Sequence, residues 1–169
     1  MADDTINAAP DAQPNGADTG PQIGMIAQYV KDLSFENPNA PGIYQQQTQP
    51  QIDVQFHISV SQVADDVHEV AMKIEVRAQG EGNSTIFAVE LVYAGLFGAR
   101  NVAAEALSPF LYAEAPRLLF PFARRIVADV TRDGNFMPLL LDPIDFGAMY
   151  MQQAQQASQL AEGETAGQA

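Results

Sequence analysis

Two runs of strict alternation constrain most of what this chain can become. Between Gln51 and Ser61, Ile52, Val54, Phe56, Ile58 and Val60 fall on one side and Gln51, Asp53, Gln55, His57, Ser59 and Ser61 on the other. A period of two marks a strand with one dry and one wet face. After a short polar connection through Ala64-Asp65-Asp66, Val70, Met72, Ile74, Val76 and Ala78 repeat the pattern against Glu69, Lys73, Glu75, Arg77 and Gln79. The pair reads as an antiparallel hairpin. Gly80-Glu81-Gly82-Asn83 then turns the chain into residues 84–97, where alternation fails: Ile86, Ala88 and Val92 oppose Phe87, Val89, Leu91 and Tyr93, so both faces are apolar. One sheet with a few helices covers one such face readily; covering both calls for a second subunit.

A further strand, about Met25 to Phe35, precedes the hairpin and is closed by the X-Pro steps at Pro38 and Pro41. Along its end Asp32, Ser34 and Glu36 share one side while Leu33 and Phe35 share the other. From residue 101 the spacing becomes helical, with Val102, Ala106, Leu107, Phe110 and Leu111 in a first helix to Ala115. A second helix restarts at Pro116 and runs to about Arg132, striped by Leu119, Phe122, Ala123, Ile126 and Val130. Gly134 is its expected stop, and Arg124, Arg125 and Arg132 suit the negative end of the helix dipole. The apolar, twice proline-marked segment 136–143 is expected to lie extended over the body, before a last helix that Asp145 caps and that carries Phe146, Met149 and Tyr150. Residues 1–22, almost without large apolar side chains, read as a disordered arm and 154–169 as a flexible acidic tail, leaving one domain at 23–153.

The charge narrows the partners. Twenty-one acids against eight bases give −13, which argues against a phosphate backbone and so against nucleic acid, and favours basic partners. It is also uneven: residues 1–99 hold 13 acids against Lys31, Lys73 and Arg77. The strand-rich half is the acidic half. Cysteine is absent, which removes disulfides and thiolate chemistry and fits a cytoplasmic protein. No segment approaches the roughly 18 uninterrupted apolar residues of a membrane span, so no stable membrane insertion is expected. For catalysis there are only His57 and His68, neither in a motif; metal and cofactor sites lack support, and an enzyme is not expected.

Four segments together resemble a family. Lys31-Asp32-Leu33-Ser34-Phe35-Glu36-Asn37-Pro38-Asn39-Ala40-Pro41 is similar to the first strand of SecB, the protein-export chaperone of bacteria. Gln62-Val63-Ala64-Asp65-Asp66-Val67-His68-Glu69-Val70 resembles that family's hairpin signature, and Leu118-Leu119-Phe120-Pro121-Phe122-Ala123-Arg124 its long-helix signature. Leu139-Leu140-Leu141-Asp142-Pro143-Ile144-Asp145-Phe146 resembles the approach to its last helix, so the likeness spans roughly residues 25–153.

The resemblance implies an α+β protomer: a four-stranded antiparallel sheet followed by a long helix and a C-terminal helix, assembled as a dimer of dimers, a homotetramer. It implies an ATP-independent chaperone that holds unfolded secretory precursors and delivers them to the SecA motor, whose basic zinc-containing tail docks on an acidic outer sheet. Carried over by motif position, the SecA-docking residues are Asp32, Glu36 and Glu90. The residues themselves support the first two, which share a strand face, and mark Glu90 as an acid in an apolar strand that must be exposed or paired. The client groove carried over is Ile52, Val54, Phe56, Met149 and Tyr150, with Leu139 and Leu141 added from the linking segment. Ala88 and Ala154 stand where the pattern favours larger apolar residues. A second reading is a SecB-like chaperone dedicated to one partner, such as an antitoxin, without SecA docking. A third is an acid/base enzyme using His68 and Asp66.

Overall fold

Both alternating runs are strands, β2 (Gln51–Ala64) and β3 (Val67–Gln79), paired antiparallel with Ile52 opposite Ala78 and Val60 opposite Val70. The computed structural model describes residues 19–46 and 49–166, with the side chains of the last helix described through Leu160. The strand with two apolar faces, β4 (Thr85–Arg100), lies inside the sheet. It is flanked by β3 and by the first strand, β1 (Gln22–Glu36), in the antiparallel order β1-β4-β3-β2. Val70, Met72, Ile74 and Val76 of β3 are wholly buried, as is Leu91 of β4. Burial of each contributes roughly 1.5–3 kcal/mol relative to exposure.

The outer face of β4 is covered in part by its own sheet. Tyr29 on β1 stands opposite Ala94 on β4, and its hydroxyl crosses that strand to donate to Glu69 Oε2 on β3 at 2.5 Å. Lys31 Nζ reaches Glu69 Oε1 at 2.6 Å. A methyl group at position 94 leaves room for the crossing, and Ala94 is fully buried.

On the inner face lies a helical rod. Helix α1 (Ala104–Pro109) passes through a wider π turn at Phe110–Glu114 into α2 (Ala115–Asp133) with no break in the helix. The expected restart at Pro116 is therefore corrected to continuation: the proline forgoes one backbone bond inside the rod, and the wider π turn before it absorbs the ring. Pro121 lies inside α2, where packing sustains the helix against the missing bond. The buried stripe is Leu119, Ala123, Val127 and Thr131, with Phe122 outside it, 41% exposed and stacked on Tyr93. Strict four-residue spacing, not apolarity alone, selects the face that meets β4. At Gly95 a Cβ would come within 2.9 Å of Leu119 Cδ2, so glycine permits the close approach of α2.

The end of α2 differs from the sequence expectation in one residue. Gly134 has φ −75° and Asn135 φ 64°, so the left-handed position is Asn135. Asn135 N–H donates to Arg132 O (2.9 Å) and Phe136 N–H to Thr131 O (3.1 Å), the paired bonds of a Schellman cap. Gly134 is small for another reason: a Cβ there would lie 2.7 Å from Phe35 Cε1 and closer still to Cζ. The segment 136–143 is extended, held where Leu139 N–H donates to Thr131 Oγ1 (3.0 Å) and where Leu141 enters the core. Helix α3 (Phe146–Ala166) is capped by Asp145, whose Oδ1 accepts from Ala148 N–H at 2.9 Å. It runs well past residue 154, where a tail was expected to begin; Gln and Ala are good helix formers and read as tail only by their lack of apolar anchors. The expected arm, 1–22, lies outside the described residues up to residue 18, and β1 begins at Gln22.

Candidate docking face and apolar cleft

The β1–β4 register decides where the acids fall. Asp32 is opposite Val92, Ser34 opposite Glu90 and Glu36 opposite Ala88, so Glu90 stands diagonally between Asp32 and Glu36 on one face. Diagonal neighbours on a sheet lie roughly 7–8 Å apart, within reach of one basic segment. Asp32 and Glu36 are exposed. Glu90 is 42% exposed and paired with Lys73 at 3.2 Å, which meets the requirement that an acid in an apolar strand be open or neutralised. Hydrogen bonds from Lys31 and then Tyr29 hold the Glu69 carboxyl below its usual range, and the bond to Glu69 pushes the Tyr29 phenol up to about 12.

The apolar candidates separate into surface and core. Ile52, at the start of β2, is 39% exposed; Val54 and Phe56 are half-buried, with the Phe56 ring 6.3 Å from Phe120. Phe120 in turn meets Phe146 at 5.8 Å, joining β2 through α2 to α3. Met149 is half-buried against the core and Tyr150 stacks on Tyr112 at 6.0 Å. Leu139 is half-buried, and Leu141 is 5% exposed and packs in the core.

One apolar feature was not anticipated. A cleft of about 280 Å³ is lined by Ile43, Tyr44, Pro50, Ile86, Phe136 and Met137, with Gln46 and Asn135 at its polar margin. Met137 is 90% exposed. Tyr44 and Phe136 pack at 5.8 Å, and the Tyr44 hydroxyl donates to Gly134 O at 2.9 Å while accepting from Asn37 Nδ2 at 2.7 Å. The signal was an apolar pair, Ile43-Tyr44, inside a Pro- and Gln-rich connection that carries no period to read.

The histidines are apart. His57 faces outward opposite Lys73, and His68 lies opposite Phe97 with Nδ1 buried and unpartnered, without the bond to Asp66 that an acid/base pair would need. Among the described residues no three His, Asp or Glu side chains gather to hold a metal ion.

Comparison with known proteins agrees with this architecture. The family model described as preprotein translocase subunit SecB matches residues 16–157. The protein-export protein SecB of Rhizorhabdus wittichii is 63% identical over 169 residues, covering all of both chains. That of Zymomonas mobilis is 59% identical over 157 residues, covering 92% of this chain and 95% of its own. Among solved structures, a Mycobacterium tuberculosis SecB-like chaperone in complex with a ChAD peptide from the HigA1 antitoxin superposes with a TM-score of 0.61, covering 72% of this chain and 90% of that one. At 18% identity that likeness bears on the fold alone. Matched across most of its length by the family model and end to end by a relative, the chain belongs to the SecB family of protein-export chaperones.

Proposed function

We propose that this chaperone holds unfolded secretory precursors in a translocation-competent state and hands them to SecA, with Asp32, Glu36 and Glu90 as the acids that receive SecA's basic tail. The observation that carries the reading is the β1–β4 register, which sets Glu90 diagonally between the other two acids on an exposed sheet face. Capture of many sequences asks for extended apolar surface with free backbone groups rather than a shaped pocket. Ile52, Val54 and Phe56 on the edge strand β2 offer that surface, continuing toward Leu139, Met149 and Tyr150, and the cleft at Tyr44, Phe136 and Met137 adds an aromatic-lined recess. The working form is a cytoplasmic homotetramer, a dimer of dimers, whose partner copies cover the exposed Leu118 and Phe122 and the open edge of β1. No cofactor or chemical step is involved, and relatives bearing protein-export names favour SecA docking over a single dedicated partner.

The test is a triple variant, Asp32→Asn, Glu36→Gln and Glu90→Gln. It is expected to lose SecA binding in calorimetry while still delaying aggregation of an unfolded precursor measured by light scattering. Unchanged SecA affinity would overturn the docking assignment, and failure of the wild-type protein to delay aggregation would overturn the holding role.

A further inference from the structure

A cation already occupies part of the acidic face. Lys73 Nζ on β3 lies 3.2 Å from Glu90 Oε1 and 3.4 Å from Glu75 Oε1. Glu75 is directly opposite Glu90 in the β3–β4 register, an arrangement of like charges that is unfavourable unless a cation bridges it. The bond to Glu90, ahead of the attraction of Glu75, holds the Lys73 ammonium above its ordinary pKa. Glu75, Glu90, Glu36, Ser34 and Arg77 line one recess of about 250 Å³, so Glu75 belongs to the surface that carries the docking acids. Arg77, two positions along and opposite Ala88, makes no ion pair among the described residues.

We infer that Glu75 is a fourth carboxylate of the docking face and that Lys73 is its internal counter-ion, seated between Glu75 and Glu90 in the free protein and displaced by a cationic side chain of the partner. The inference rests on the proposed docking of SecA's basic tail. Its chemistry is an exchange of cations. Lys73 is a point charge on a flexible four-carbon stem, 36% exposed and free to swing outward, whereas an incoming arginine offers a planar fork able to grip two carboxylates at once. Docking affinity then reflects the difference between the two cations, and removing the internal one strengthens binding.

The experiment is titration of the full-length protein with purified SecA at fixed salt. Lys73→Met is expected to tighten binding about two- to fivefold, the size of an exposed ion pair, and Glu75→Gln to weaken it by a similar factor. Arg77→Met removes the same charge from the same face without freeing a carboxylate, and is expected to change affinity less than Lys73→Met. In a Glu90→Gln background the gain from Lys73→Met should shrink. Lys73→Arg, which keeps the charge and grips both acids with a fork, is expected to bind SecA more weakly than wild type; it carries the test if Lys73→Met melts below the assay temperature. Equal gains from Lys73→Met and Arg77→Met, or no effect of Glu75→Gln, would overturn the inference. If the Asp32, Glu36 and Glu90 triple variant loses SecA while these variants leave affinity unmoved, only the exchange of cations fails. If the triple variant binds normally, the docking reading itself has failed.

Discussion

Gly134→Ala is predicted to destabilise the protein by crowding, in spite of a backbone that any residue accepts. The new Cβ would sit 2.7 Å from Phe35 Cε1, where ordinary contact begins near 3.4 Å, and it would be closer still to Cζ. The ring has little room to retreat, being stacked on Phe87 at 6.1 Å and against Phe136 at 6.5 Å. Overpacking of this kind costs about 1–3 kcal/mol. At φ −75° alanine also restricts the unfolded chain, which returns about 0.4–1 kcal/mol. The net loss is about 1–2 kcal/mol, a fall in Tm of about 3–6 °C for a chain of this length at fixed protomer concentration. Calorimetric melting of Gly134→Ala, Phe35→Leu and the double variant separates the cause. Crowding predicts that Phe35→Leu relieves much of the damage, a coupling of about 1 kcal/mol. A left-handed glycine would give the same loss in the single variant but no relief. An undisturbed Tm, or additive losses in the double variant, would refute the steric argument.

Asn135 carries the positive φ, so Asn135→Ala is expected to cost about 1 kcal/mol in urea unfolding while Asn135→Gly is neutral or better. Thr131, fully buried, donates to Val127 O and accepts from Leu139 N–H; Thr131→Val strands that N–H and is expected to cost about 1–3 kcal/mol, read as a lower urea midpoint at unchanged slope. Because the folded Glu69 pKa is lowered, its contribution to stability is present above the unfolded value and lost as pH falls through the folded one; Glu69→Gln should flatten the acid limb of a stability–pH curve. Tyr29 has the opposite sign, stabilising below pH 10 and losing its contribution as pH rises toward about 12, so absorbance titration should show a late tyrosinate that Tyr29→Phe removes.

The hairpin, the four strands and the capped last helix were legible because each rests on local rules: period two, a short polar turn, an N-cap aspartate. Asp32 and Glu36 were legible for the same reason. Their approach to Glu90 was not, because β1 pairs with β4, the last strand in the chain, and sequence separation says nothing of that register. Register shifts fall between Met25 and Ala27 and between Val30 and Asp32. Counting alternately back from Asp32 places Tyr29 on the inner face; the shift at Lys31 returns it to the outer one, where it meets Glu69. The stripe of α2 was misjudged by apolarity, since its buried line ends in Thr131, a polar residue whose partners come from the helix and the linking segment. The cleft escaped notice because Ile43, Tyr44, Phe136 and Met137 sit in irregular segments, where no period exists to reveal a shared surface.

The proposed docking face, with its clustered acids on β1, poses a mechanical problem. Neighbouring carboxylates repel, so the patch tends toward disorder where order would most reduce the cost of binding. In this protein the segment 32–36 is fastened at both ends and from beneath. Tyr29 and Lys31 grip Glu69 at one end, made possible by the shift that re-aims both side chains across β4. Beneath, the Phe35 ring fills the space left by Gly134 and stacks on Phe87. At the far end Asn37 bonds Tyr44, which bonds the carbonyl of Gly134. A shifted register in β1 and the missing side chain of Gly134 thus bear on the same five residues. They hold Asp32 and Glu36 at fixed spacing on either side of Glu90, so that under the proposed docking a basic partner would meet a prearranged charge pattern instead of ordering one on arrival.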